Sequence, residues 1–166
     1  MSTIPRSALR TFLLAALCAM LPAACSAHDD HVSLTAAPVT VDIGSVPQAG
    51  SGGRLVLHLD DVRVAEGQAA VFRVFVNRPD ATAATATEEK GFVDEIFLVP
   101  ARSTPTAPGA RSPGQNLALP LSAGRVQPGE KITVTLIPVA ADAAGQLTRQ
   151  GSLDVTLKHP YVTLEP

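Results

Sequence analysis

The segment Ala70-Val71-Phe72-Arg73-Val74-Phe75-Val76 restricts the fold more than any other part of the chain. β-branched and aromatic side chains dominate it, and they pack well on a pleated surface. It reads as one β-strand. Asn77-Arg78-Pro79-Asp80 stops the run, since Asn and Asp favour tight turns and proline cannot donate to a ladder. Phe72, Val74 and Val76 fall on one face, with Val71, Arg73 and Phe75 on the other. The strand is thus able to cover something on both sides.

Shorter strands follow the same logic. Val39 to Ile43 alternates. Leu55, Leu57 and Leu59 share a face; Asp60-Asp61 breaks that strand, and Val62 to Val64 resumes it. Phe92 to Val99 ends at Pro100. Leu117 to Leu121 suits a sheet edge because Pro120 lacks an N–H. Ile132, Val134 and Leu136 point inward while Thr133 and Thr135 point outward. Leu153 to Lys158 and Tyr161 to Leu164 close the chain. Ala81 to Lys90 reads as a mobile surface loop, and Pro47 to Gly53 and Ser103 to Gly114 as irregular connections. With 14 prolines and 12 glycines in the chain, the pattern predicts an all-β fold. It is a single immunoglobulin-like antiparallel β-sandwich of about seven to eight strands, over residues 39–166. Half-polar strands argue against a parallel sheet buried on both faces.

The first residues have a different character. Arg6 and Arg10 precede the apolar run Thr11 to Leu21, Pro22 breaks it, and Ala23-Ala24-Cys25-Ser26-Ala27 follows. That order is a secretory signal peptide over residues 1–27, cut after Ala27. Residues 28–38 then form a flexible leader. The protein is expected to be exported, periplasmic or extracellular, with no membrane span. A second fate stays open at Cys25. Ala23-Ala24 precede it as in a lipoprotein signal, although Pro22 stands where a branched apolar residue is usual. Lipidation there would anchor the protein to a membrane. Cys18 and Cys25 both lie in this region, so the mature chain has no disulfide and relies on hydrophobic burial. The formal net charge of −2 falls further when Arg6 and Arg10 leave, which argues against nucleic acid as a partner.

Candidate chemistry is sparse. Cleavage after Ala27 makes His28 the N-terminus of His28-Asp29-Asp30-His31. A terminal His offers an amine and an imidazole, and a second imidazole from His31, His58 or His159 completes a three-nitrogen copper site. Copper is the one cofactor this reading offers. The plainer reading is a polar leader with no duty except to be hydrophilic. His58 alternates with leucines and reads as a structural side chain on the outer face of its strand; His159, before Pro160, reads as a turn residue. Asp60-Asp61 and Asp94-Glu95 sit at adjacent strand positions and point to opposite faces, so neither pair converges on a substrate. No Gly-x-Ser-x-Gly elbow occurs, and Gly50-Ser51-Gly52-Gly53 does not open a helix. No catalytic constellation is present, and the chain reads as a non-enzyme.

The order of strands resembles the C-terminal β-sandwich domain of the tyrosinase and polyphenol oxidase family. The matching pieces are Leu57-His58-Leu59-Asp60-Asp61-Val62, Phe72-Arg73-Val74-Phe75-Val76-Asn77-Arg78-Pro79, Gly91-Phe92-Val93, Ile132 to Pro138, and Leu153 to Leu157. They span about residues 54–164. The chain departs from the family at Asp94-Glu95, where a Gly or small residue is common after the Val. The resemblance implies a non-catalytic domain that packs beside a dicopper domain and restricts access to it. Dicopper chemistry in that family needs two sets of three histidines. This chain has His28, His31, His58 and His159. The resemblance therefore implies an accessory domain made as a separate exported protein, with a tyrosinase-like copper oxidase subunit as its partner.

Overall fold

The computed structural model describes residues 30–46, 53–99, 111–122, 126, 129–141 and 143–166. The signal peptide assigned to residues 1–27, Cys25, His28 and the loop at 47–52 lie outside the described residues. Among the described residues there are ten strands: β1 (His31–Leu34), β2 (Val39–Ser45), β3 (Arg54–Val64), β4 (Ala70–Val76), β5 (Phe92–Leu98), β6 (Gln115–Pro120), β7 (Lys131–Ala140), β8 (Arg149–Gln150), β9 (Val155–Lys158) and β10 (Tyr161–Glu165). They form two antiparallel sheets, and the described residues contain no helix.

The long strand β3 organises the first sheet. β6 lies along one side, with Leu57 opposite Leu119. Along the other side β9 and β10 follow each other in one register: Val155 faces Val64, and Tyr161 faces His58. His159-Pro160 interrupts this pair of strands, where proline removes a ladder donor. β1 flanks β9. The second sheet runs β2-β7-β4-β5, with β8 on β7. The main core lies between the sheets, where Leu57, Leu59 and Leu157 of the first meet Phe72, Val74 and Leu136 of the second. The expected sandwich is therefore present, with two more strands, β1 and β8, than the alternation shows.

Four local expectations are corrected. Residues 31–34, read as part of a flexible leader, form β1. Val32 and Leu34 are buried opposite Leu157 and Val155; the alternation is only four residues long, too short to stand out by period alone. Asp60-Asp61 does not end its strand. β3 continues through a bulge, with its register to β6 shifting between Leu59 and Val62. Asp61 adopts a φ of 51°, and its N–H donates to Asn116 Oδ1 at 2.9 Å. A bulge of this kind bends a strand without ending it.

Thr135 is not outward-facing to solvent; it is fully buried and shares a hydrogen bond with Thr40. The reason is the fourth correction. The segment Ala81 to Lys90, read as a mobile loop, is an ordered cap on the outer face of the second sheet. Ala81 and Ala83 pack against Phe75, Ile137 and Val139, with Val71, Phe92 and Leu147 at the margin. Phe75 and Phe92 meet edge to face at 5.4 Å between centroids. Both faces of β4 are thus covered, as its composition suggests.

Candidate functional site

The corner after β4 is built by residues with specific backbone duties. Asn77 takes a φ of 53°, a conformation Asn tolerates better than most side chains. Its N–H donates to Thr133 O at 2.9 Å, and its Oδ1 accepts from Thr133 N at 3.0 Å, so one residue extends the ladder beyond β4. Arg78 binds Asp80 through Nε and Glu89 through Nη1 at 2.7 Å, tying the corner to the far end of the cap. The bond from Arg78 holds the Asp80 carboxyl below its usual range. Gly91 closes the cap. Its carbonyl accepts from Val76 N at 2.8 Å. The Gly-Phe-Val and Asn-x-Pro motifs are therefore two ends of one structural joint.

Arg73 is the buried charge in this layer, 7% exposed. Its Nε donates to Glu95 Oε2 at 2.7 Å, and Nη1 donates to Ala83 O at 3.0 Å and Thr85 O at 3.2 Å. A buried guanidinium needs such partners, because desolvation of an unpaired ion is costly. Glu95 is one of the two residues at which the chain departs from the resembled family, and it serves Arg73. Asp94 is on the exposed side and accepts from Glu95 N at 2.8 Å. The two carboxylates do not converge on one substrate.

The described histidines suggested as metal ligands lie on different strands, His31 on β1 and His58 on β3. His28 lies outside the described residues. His31 is exposed in β1, opposite Lys158. His58 sits on the outer face of β3, where Nε2 is 2.7 Å from Thr163 Oγ1 and the ring stacks on Tyr161 with centroids 4.8 Å apart. His159 Nδ1 lies 3.0 Å from Pro160 O. Among the described residues no group of three His, Cys, Asp or Glu side chains is placed to hold a metal ion. The copper site suggested by the sequence centres on His28 and so lies outside the described residues.

Tyr161 carries no signal in the sequence beyond its place in a short strand. It is 43% exposed, and its hydroxyl donates to Asp60 Oδ2 at 3.0 Å. This bond to a carboxylate, with some burial, raises the phenol above its ordinary value of 10.0. The folded chain then holds the proton more tightly than the unfolded chain. The stabilisation is complete below pH 10 and is lost as pH rises through the folded-state value. Tyr161 is the only tyrosine and there is no tryptophan, so ultraviolet titration reads it without interference. The midpoint is expected above 10 in the native protein and to fall back toward 10 in Asp60→Asn.

Two large apolar side chains face solvent on the second sheet. Phe97, in the edge strand β5, and Val99, just beyond its end, are 61% and 73% exposed.

No family model matches the chain, and no curated protein matches it. Solved structures do. Recombinantly expressed latent aurone synthase, a polyphenol oxidase, superposes with a TM-score of 0.55 at 16% identity, over 81% of this chain and 25% of that one. Latent aurone synthase from its natural source gives a TM-score of 0.55 at 17% identity, over 81% and 26%. The chain has the fold of one part of a polyphenol oxidase. It spans about a quarter of that protein's length. The strand order from Leu57 to Leu157 that carried the resemblance is the order the fold uses.

Proposed function

We propose that this chain is a non-catalytic accessory module that docks on a dicopper oxidase-like protein outside the cytoplasm and shields or stabilises it. The observation that carries this reading is the match of 81% of the chain to about a quarter of a latent polyphenol oxidase. In the resembled family this domain covers a reaction centre rather than forming one, and the described residues contain no cluster of three metal-binding side chains. Phe97 and Val99 supply the contact, because apolar side chains left this exposed on one sheet edge mark association surfaces.

The test is affinity capture from the exported fraction of the producing cells, compared with a Phe97→Asp variant. The expected result is a copper-containing protein that oxidises phenols, whose turnover falls when the chain is added back and which Phe97→Asp fails to retain. Recovery of no copper protein, or turnover that stoichiometric addition leaves unchanged together with unaltered oxidase stability, would sink the reading.

A further inference from the structure

We draw no further inference here: the strongest candidate, the side-chain cluster of His58, Asp60, Tyr161, Thr163 and Glu165 on the outer face of β3 and β10, carries nothing, because Tyr161 bonds to Asp60, His58 to Thr163 and Glu165 to Arg54, so that its polar groups fasten one strand to the other and none of them is left aimed at a ligand.

Discussion

Replacing Arg73 by Ala is expected to lower the unfolding free energy by about 3 kcal/mol, toward the lower end of what breaking a buried ion pair costs. Three hydrogen bonds are lost at once, to Glu95 and to the carbonyls of Ala83 and Thr85. The acceptors left behind matter more than the bonds themselves. The Glu95 side chain is 21% exposed, so solvent recovers part of its charge and the loss stays below that of a fully enclosed pair. The aliphatic stem of Arg73 also packs within the layer, and its removal adds a hydrophobic term. Urea unfolding measures the loss, which should appear as a lower midpoint with an unchanged slope. Protease cleavage between residues 77 and 91 should precede global unfolding, because Arg73 is what pins the cap's carbonyls to the sheet. Arg73→Ala combined with Glu95→Ala should cost less than the sum of the two single changes, since each single change strands the other's charge. Additivity would show that the pair is not coupled.

Gly91→Ala is expected to cost a similar amount, about 3 kcal/mol, and to lower the thermal midpoint by roughly 10 °C. Two effects combine. Gly91 has a φ of 101°, a region that a side chain makes costly. A Cβ there would also stand 2.6 Å from Val76 O. That oxygen is backbone, fixed by the strand, and no rotamer change moves it. Yielding would stretch the bond from Val76 N to Gly91 O and loosen the corner at Asn77. Gly67→Ala is the control. It has a φ of 75° but nothing within 4 Å of the added carbon, so only the backbone preference is lost, about 1–2 kcal/mol. Equal losses at the two positions would remove the close approach from the explanation.

Much of this fold was readable because alternation is a local signal. β4, β5 and the inward face of β7 follow from period 2 and from the turn residues that bound them. The family resemblance rested on those same strands. The misses share one cause. β1 is too short to show a period, yet Leu157 and Val155 give Val32 and Leu34 somewhere to go. Asp60-Asp61 looks like a stop, but Asn116 and Arg63 satisfy Asp61 and let β3 bend through it. Ala81 and Ala83 look unremarkable for a loop. They are buried because Phe75 and Ile137 present an apolar outer face that small side chains can cover closely.

The candidate surfaces divide in the same way. The exposed end of β5 cannot be told from any other alternating strand by composition. Whether a strand has a neighbour depends on which distant segment the chain brings alongside it. His58 illustrates the point: beside leucines it reads as an outward residue, and only the pairing of β3 with β10 gives it Thr163 and Tyr161. By itself, the sequence determined which residues alternate and which turn residues bound most of the strands, because spacing and backbone preference act over a few residues. Tertiary structure decided which faces are covered twice and which charge is buried, because those depend on contacts between segments far apart in the chain, as between Asp30 and His159.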